Sequence, residues 1–294
     1  MLWKKGRRSD NVVQAMGGGG GGGRRIFGGG RGPGLLGIIV IIIISLVFHQ
    51  NPLTLLGMVS GGGGGSSAPS SAQVAPATSN DENTDFVRVI LASTEDVWTP
   101  LLAKQGIKYV DPKLVLFNGR VSSACGLASE AMGPFYCPGD QRVYLDLGFF
   151  HEMDTRFHAT GDFARAYVIA HEVGHHVQKL LGIFAAVEQA RQRGAPMKGA
   201  NGLSVRQELQ ADCFAGVWAM HAQQQEQWLQ PGDIDEALNA ASAVGDDTLQ
   251  RETRGTVVPD SFTHGTSAER ARWFKTGFQS GDIGTCDTFK ANSL

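Results

Sequence analysis

Ala170-His171-Glu172-Val173-Gly174-His175-His176 is the most informative stretch of this 294-residue chain. It contains the pattern His-Glu-x-x-His, in which two imidazoles lie four positions apart and a carboxylate follows the first. Residues i and i+4 share one face of a helix, so His171 and His175 can bind one metal ion, for which zinc is the usual choice. Glu172 lies about 100° further around the helix, where it can reach a water on the metal. The pattern therefore predicts a metal site for hydrolysis by an activated water.

A catalytic zinc needs a third protein ligand and one open position. The candidate is Glu208, in Glu208-Leu209-Gln210-Ala211-Asp212, near the start of a second predicted helix. Asp212 lies one turn further along the same face, where it can accept a hydrogen bond from the other ring nitrogen of a ligand histidine. Asp212 as the ligand in place of Glu208 is one alternative. The other is that both carboxylates belong to a solvated helix face.

Hydrophobic periodicity and capping signals predict an α+β domain, mostly helical with a small sheet. Helices are predicted over 84–105, 163–180 with an extension to about 191, 205–225, 233–244 and 266–278. Capping residues are predicted at Thr160 or Asp162 for the second helix, and capping boxes at Ser204/Gln207, Asp233/Glu236 and Thr266/Glu269 for the last three. The domain as a whole is predicted to span residues 84–294.

The strands of this domain are predicted to precede the helix that carries His171. Lys113–Phe117 and Arg120–Ser123 are joined by Asn-Gly, a pair that favours a tight hairpin turn. A further strand is predicted over 142–150. This strand is a candidate edge for binding an extended substrate, and an internal strand is the equally tenable alternative.

The first 83 residues differ from the rest in composition. Residues 1–33 are rich in Gly and Arg and are predicted to be a flexible cytoplasmic arm. Residues 34–59, with an apolar core at 34–48, are predicted to be a transmembrane signal anchor. Residues 60–83 are predicted to be a Gly/Ser/Pro linker.

The charge of the arm predicts how the chain is oriented. Residues 1–34 carry seven basic residues against one acidic residue, while the whole chain has a net charge of −2. A basic segment before an apolar one predicts a cytoplasmic N-terminus, a single crossing of the inner membrane and an extracytoplasmic domain. The basic segment lies just before an apolar run, which membrane orientation explains better than nucleic-acid binding, so we do not expect nucleic acid as a partner. A cleaved signal peptide is the alternative, although no clean small-x-small cleavage site follows the apolar segment.

All four cysteines lie after the apolar segment, which agrees with an oxidising compartment. We expect Cys125 to pair with Cys137 across a short loop, and Cys213 to pair with Cys286 so that the C-terminal tail is joined to a helix. A thiolate metal site is the alternative, but no Cys-x-x-Cys spacing supports it.

The motifs together resemble those of the gluzincin metallopeptidases and, more closely, of the putative neutral zinc metallopeptidases of bacterial membranes. The resemblance covers roughly residues 84–290. It is carried by Gly133–Pro138, Val143–Asp146, Ala166–Gln178, Glu208–Cys213 and Thr263–Thr266 with Arg270. It implies a zincin-like fold behind a single N-terminal transmembrane helix, one Zn²⁺ per chain and a protein or peptide substrate.

The remaining polar residues receive roles within this scheme. Glu172 is predicted to be the general base and then to return the proton to the leaving amine. His264, in a loop before the last helix, is the candidate donor to the oxyanion, and a solvent-exposed loop histidine is the alternative. Tyr167 is a weaker candidate for the same role. His176 either bonds to Glu172 or covers the helix surface, and His151 and His158 are predicted to face solvent.

The sequence as a whole predicts a membrane-anchored zinc endopeptidase. One alternative is a catalytically idle, zinc-stabilised interaction module of the cell envelope. The other is a zinc hydrolase that acts on a non-peptide bond, because the motif indicates an activated water and not the bond it attacks.

Overall fold

Helices make up most of the structure, a computed structural model that describes residues 1–16, 71–78, 81–129 and 133–294. The described helices are α1 (Glu82–Ala103), α2 (Gly148–Thr155), α3 (Asp162–Leu180), α4 (Ile183–Gln192), α5 (Leu203–Glu226), α6 (Asp233–Ala243), α7 (Asp246–Arg254) and α8 (Ser267–Ser280). Together with the small sheet described next, they confirm the predicted α+β class.

The strands form one mixed sheet and one separate two-stranded ladder. They are β1 (Val12–Ala15), β2 (Val74–Pro76), β3 (Lys113–Phe117), β4 (Arg120–Ser123), β5 (Gly126–Ser129), β6 (Phe135–Cys137) and β7 (Arg142–Asp146). The mixed sheet has the order β2-β1-β3-β7-β6, in which β1, β3 and β7 are parallel and the two outer strands are antiparallel to their neighbours. Strands β4 and β5 pair with each other.

Helices α3, α5 and α8 pack closely because small residues lie where they meet. A Cβ atom on Gly174 of α3 would lie 3.0 Å from the backbone oxygen of Ala211 on α5. A Cβ atom on Gly277 of α8 would overlap the backbone of Cys213 on the other side of α5. Larger side chains at these positions would separate the helices. The close approach of α3 and α5 brings the histidines and Glu208 together.

Residues 1–16 belong to the folded domain, so the prediction of a flexible arm over 1–33 is wrong for its first half. Strand β1 lies inside the mixed sheet, between β2 and β3. Trp3, Val12 and Val13 are buried, and the Trp3 ring packs edge-on against Phe86 of α1 at 5.2 Å. Gly and Arg content led to the prediction of disorder, but Trp3 and the valines supply enough apolar surface to order the segment.

Basic side chains of this N-terminal segment pair with acidic residues of the domain. The Arg7 guanidinium contacts Glu95 at 2.7 Å and Asp96 at 2.9 Å. Arg8 contacts Asp85 at 2.6 Å, and Lys4 contacts Glu82 at 2.7 Å. These charges therefore have partners on α1. The prediction of orientation from the basic residues took no account of such ion pairs.

The pairing of β1 conflicts with a single membrane crossing. The Met16 N–H donates to the Gln73 carbonyl at 2.8 Å, so both ends of the intervening segment meet in one antiparallel ladder. A segment that crosses a bilayer once would leave β1 and β3 on opposite sides. Within the described residues no helix is both long and apolar enough to cross a membrane. The predicted anchor at 34–59 lies outside those residues. The predicted linker at 60–83 is wrong where it is described, because β2 pairs with β1 in the sheet and α1 begins at Glu82.

The structure corrects two predictions about strands and, for the strand that begins at Arg142, supports the alternative of an internal strand. Strands β3 and β4 have the predicted bounds but do not form a hairpin, because β3 pairs with β1 and β7 while β4 pairs with β5. The predicted strand over 142–150 ends at Asp146, and α2 begins at Gly148. Strand β7 has neighbours on both sides, so it offers no free edge. The outer edges of β2 and β6 have no strand partner in the described part of the sheet.

The helix bounds agree closely with prediction, but most of the predicted caps do not. Thr266 and Glu269 form the predicted capping box at the start of α8. Helices α3, α5 and α6 instead begin after Gly161, Gly202 and Gly232, without side-chain caps. Helix α4 begins anew after Gly182, which has a φ of 78° that ends α3. Helix α7 was not predicted.

Candidate metal centre

The two histidines and Glu208 come together between α3 and α5. His171 Nε2 lies 3.2 Å from Glu208 Oε2, and His175 Nε2 lies 3.5 Å from Glu208 Oε1. One ligand atom from each of the three residues lies within 4.8 Å of the other two. Both histidines are buried and Glu208 is partly exposed, so the cluster lies at the base of an open cleft.

This donor set fits zinc. Two ligands bound at about 2.0–2.2 Å in a tetrahedral arrangement are separated by roughly 3.3–3.6 Å. Of the two nitrogen–oxygen distances, 3.5 Å lies within this range and 3.2 Å just below it. Three protein ligands also leave one position open, as hydrolytic sites require. His171, His175 and Glu208 can therefore hold a metal ion.

Asp212 holds His171 through its other ring nitrogen. The distance between His171 Nδ1 and Asp212 Oδ1 is 2.8 Å, and the Asp212 side chain is fully buried. A carboxylate can only accept here, so Nδ1 carries the hydrogen and Nε2 is left to bind a metal. Burial alone would lower the pKa of His171, but the Asp212 and Glu208 carboxylates outweigh it and raise the pKa to about 10, so without a metal both ring nitrogens carry hydrogen and a metal ion would displace the one on Nε2.

Arg270 and Tyr167 complete the surroundings of Asp212. Arg270 donates from Nε to Asp212 Oδ2 at 2.8 Å and from Nη2 to Oδ1 at 2.9 Å, and the Tyr167 hydroxyl donates to Oδ1 at 2.5 Å. Burial would raise the pKa of Asp212, but Arg270 and His171 lower it to about 2. Asp212 is thus a charged, fully bonded support for His171. The alternatives of Asp212 as a ligand and of a solvated face do not fit this burial.

The Tyr167 hydroxyl has a structural contact, which argues against its predicted role as an oxyanion donor. It donates to Asp212 and accepts from Arg270 Nη2 at 3.1 Å, so its hydrogen is already engaged. Its side chain is 1% exposed. Burial raises the pKa of Tyr167 well above its usual value, so it stays protonated and keeps this bond.

Glu172 faces the cleft beside the two histidines. It is 8% exposed and lines the cleft. Among the described residues, no group forms a hydrogen bond or ion pair with its carboxylate. Glu172 is therefore available to a bound ligand, as its predicted role requires.

His264 reaches the same cleft from the loop before α8. Its backbone N–H donates to Asp246 Oδ2 at 2.6 Å, and its Nδ1 lies 3.4 Å from Asp246 Oδ1. The bond with Asp246 raises the pKa of His264 above its usual value. The side chain is half exposed, so it lines the cleft while its backbone is fixed.

His176 is buried and points away from Glu172, so both readings from the sequence are wrong. It is 0% exposed. Its Nε2 lies 2.6 Å from the Val110 carbonyl, and its Nδ1 lies 3.1 Å from the Tyr136 hydroxyl. His176 therefore attaches α3 to β6 and to the loop before β3. His151 and His158 are exposed, as predicted.

The cleft above the cluster has a volume of about 570 Å³. One wall is aromatic: the rings of Phe149 and Phe157 lie 6.2 Å apart, and those of Tyr136 and Phe184 also lie 6.2 Å apart. Glu152 and Arg156 add charged groups to the lining. Tyr136 belongs to β6, so the strand edge and the cluster border the same space.

Two supporting residues escaped sequence reasoning. Arg270 and Gln178 belong to the stretches that carry the family resemblance, but the sequence predicted no role for either. In the structure Arg270 donates to Asp212, and Gln178 Oε1 lies 2.9 Å from His175 Nδ1. Gln178 is three residues after His175, a spacing that places the two on adjacent positions of a helix face. That spacing was the available signal for Gln178, whereas nothing local indicates Arg270.

Both predicted disulfides are present. Cys125 is bonded to Cys137, and Cys213 to Cys286, which leaves no free cysteine in the described chain. The second bond joins α5 to the 3₁₀ turn Ile283–Cys286. The thiolate metal site considered as an alternative is thereby excluded.

Comparison with known proteins adds a family and several relatives. A family model described as "Putative neutral zinc metallopeptidase" matches residues 1–289. The chain is 55% identical over 220 residues to "Uncharacterized protein YpfJ" of Escherichia coli (strain K12), a match that covers 75% of each chain. It is 47% identical over 212 residues to "Uncharacterized protein Rv2575" of Mycobacterium tuberculosis (strain ATCC 25618 / H37Rv), covering 69% of each. No solved structure matches, so the zincin-like fold stays a prediction.

Proposed function

The chain belongs to the putative neutral zinc metallopeptidase family, and from this premise we propose that it is a zinc-dependent endopeptidase of the cell envelope. The observation that carries the proposal is the arrangement of His171, His175 and Glu208. Their ligand atoms lie within 4.8 Å of one another, and the two nitrogen–oxygen distances are close to those between ligands of a tetrahedral zinc ion. The proposed content is one Zn²⁺ per chain.

The residues around this cluster divide the chemistry among them. When bound, zinc supplies a Lewis acid and a water of lowered pKa. Glu172, with no competing partner among the described residues, accepts a proton and later returns it to the leaving amine. This role supports catalysis over an idle interaction module, because a purely structural zinc site has no use for a carboxylate facing the cleft.

His264 is the proposed donor to the oxyanion that develops on the scissile carbonyl. Its backbone is fixed by Asp246, its imidazole lines the cleft, and its raised pKa favours the doubly protonated form, in which it can donate. A donor that is positioned before the reaction stabilises the developing charge without having to reorganise.

The substrate proposed is an extended peptide with a large apolar side chain near the scissile bond. The outer edge of β6 offers backbone groups to an added strand, and Tyr136 on this strand borders the cleft. Phe149, Phe157 and Phe184 supply an aromatic wall of the kind that binds apolar side chains. These features support a peptide rather than a small polar ester or amide.

An extracytoplasmic location at the inner membrane is also proposed. Two disulfides are typical of oxidising compartments, and the apolar sequence of residues 34–59 is typical of membrane attachment. Because β1 pairs within the domain, attachment by the intervening segment requires that it return to the side from which it leaves.

The central test compares wild type, Glu172→Gln and His171→Ala as full-length proteins on a peptide library. We expect wild type to bind one equivalent of zinc and to cleave beside large apolar residues. Glu172→Gln should keep the metal and lose roughly 10²–10⁴-fold in kcat/KM. His171→Ala should lose both metal and activity.

Each contrary result would contradict a different part of the proposal. Unchanged cleavage by Glu172→Gln would show that this residue is not the base. Zinc retained by His171→Ala would refute the ligand assignment. A wild-type protein that binds zinc but cleaves no peptide would favour the idle module or a hydrolase of another bond.

A further inference from the structure

A row of buried amides leads from the protein interior to His175. His175 Nδ1 lies 2.9 Å from Gln178 Oε1. Gln178 Nε2 donates to the Gln207 carbonyl at 2.7 Å and to Gln210 Oε1 at 3.1 Å, and Gln210 Nε2 donates to the Cys286 carbonyl at 3.0 Å. Gln178 is 0% exposed and Gln210 is 5% exposed, so water does not compete for these bonds.

The orientation of both amides is fixed by the two backbone carbonyls. A carbonyl oxygen only accepts, so the Gln210 amino group must face Cys286 and the Gln210 oxygen must face Gln178. The Gln178 amino group must likewise face the Gln207 carbonyl. The reverse orientation would bring two acceptor oxygens to 2.7 Å. The Gln178 oxygen is therefore the atom presented to His175.

From this geometry we propose that Gln178 is a positioning residue that fixes the tautomer of His175. Its oxygen requires a hydrogen on His175 Nδ1, so Nε2, the nitrogen directed toward Glu208, is the one that a metal can bind. The carbonyls of Gln207 and Cys286 set this polarity through the amide row. The inference rests on the proposed zinc site and assigns a role to a residue outside the ligands.

The two ligand histidines are thus supported differently. His171 has a charged acceptor, Asp212, which is itself neutralised by Arg270. His175 has a neutral acceptor that is aligned by backbone carbonyls. The site gains a second oriented histidine without burying a second uncompensated carboxylate, which would be costly.

The test uses three variants of the full-length protein, with zinc affinity measured against a chromophoric chelator. Gln178→Met removes the acceptor at similar volume, and should weaken zinc binding by roughly 10–100-fold. Gln178→Glu keeps an oxygen toward Nδ1 but brings a second acceptor oxygen to the Gln207 carbonyl, so it should lower thermal stability while its zinc affinity stays above that of Gln178→Met. Gln210→Met removes a buried amide but leaves the Gln207 carbonyl to orient Gln178, so it should stay within about threefold of wild type.

Thermal stability and the visible spectrum of the cobalt(II)-substituted proteins are recorded in parallel. A positioning role predicts that only Gln178→Met changes the spectrum, whatever each variant does to stability. Equal loss of zinc affinity in all three variants, in step with stability, would show ordinary core disruption and overturn the proposal. Zinc binding by Gln178→Met at wild-type strength would overturn it as well.

These outcomes are separable from those that test the peptidase. If wild type binds zinc and the variants behave as expected, the role of Gln178 holds even where no peptide is cleaved. If wild type cleaves peptides but the three variants bind zinc equally, the role of Gln178 fails alone. A wild-type protein without zinc affinity would refute both.

Discussion

At the scale of single residues, the chain places two kinds of histidine on one helix. His171 and His175 each have an acceptor at Nδ1, and so present Nε2 to a metal. His176 has the opposite pattern, because the Val110 carbonyl takes the hydrogen of Nε2 and Nδ1 accepts from Tyr136. Adjacent residues of identical type thus serve a metal site and the core. Only their partners distinguish them, and those partners are distant in sequence.

Because His176 is buried, we predict that the stability of the folded protein falls in mild acid. Burial lowers its pKa to about 4, below the 6.5 of an unfolded histidine, so the folded protein binds fewer protons between these values. Its contribution is complete above pH 6.5 and is lost as pH falls toward 4. The difference between the folded and unfolded pKa values of His176 corresponds to about 3 kcal/mol in the free energy of unfolding. Chemical denaturation of metal-free protein at several pH values measures it.

The matched control for this prediction is His176→Gln. The amide can donate to the Val110 carbonyl but does not titrate in this range. Subtracting the two pH profiles cancels the contribution of every other group, including the ligand histidines. Parallel profiles for wild type and variant between pH 4 and 6.5 would contradict the assignment.

At the scale of helices and strands, the parts of the fold that depend on local signals were predictable. The bounds of α1, α5 and α8 and the strand residues of β3 and β4 follow from periodicity within the segment. Strand partners did not, because β3 pairs with β1 from a distant part of the chain. Most caps were also missed, because α3 and α5 begin after Gly161 and Gly202 rather than after a capping Ser, Thr or Asp.

The residues of the candidate site also divide into those that a local pattern predicts and those that depend on tertiary packing. His171, His175 and Glu172 follow from one helical motif, and Glu208 with Asp212 from the requirement for a third ligand and its support. Arg270 depends on the packing of α8 against α5, which no local pattern encodes. The aromatic wall of the cleft likewise combines β6, α2 and α4 with the turn after α2.

Removal of strand β1 is predicted to destabilise the domain. A protein that begins at Ser71 lacks Trp3, Val12 and Val13, which are buried. It also leaves β3 without one neighbour. Burial of three such side chains is worth on the order of 5 kcal/mol, comparable to the total stability of many domains. We expect this truncated protein to unfold or aggregate.

The control for that truncation is a variant that keeps residues 1–16 and replaces 17–70 with a four-residue turn from Met16 to Ser71. The Met16–Gln73 hydrogen bond shows that the two ends are close enough for such a turn. This variant should retain cooperative unfolding and one equivalent of zinc. Equal stability of the two proteins would mean that β1 contributes little to the domain.

At the scale of the whole molecule, the fold constrains topology more strongly than charge does. The basic residues near the start predicted a cytoplasmic N-terminus, yet Lys4, Arg7 and Arg8 have acidic partners on α1. Residues 1–16 share a sheet with β3 and β7, so they must lie on the same side of any membrane as the metal cluster. The disulfides favour the extracytoplasmic side for both.

Cysteine labelling in intact spheroplasts tests this topology directly. All four native cysteines are in disulfides, so Lys5→Cys and Lys275→Cys each introduce one free thiol at an exposed position, in the N-terminal segment and on α8. We expect a membrane-impermeant maleimide to label both before lysis, because both belong to one extracytoplasmic domain. Labelling of Lys275→Cys alone would restore the single-crossing orientation and show that β1 does not pair as described. Labelling of neither before lysis would keep the shared side but place the domain in the cytoplasm, against the compartment that the disulfides favour.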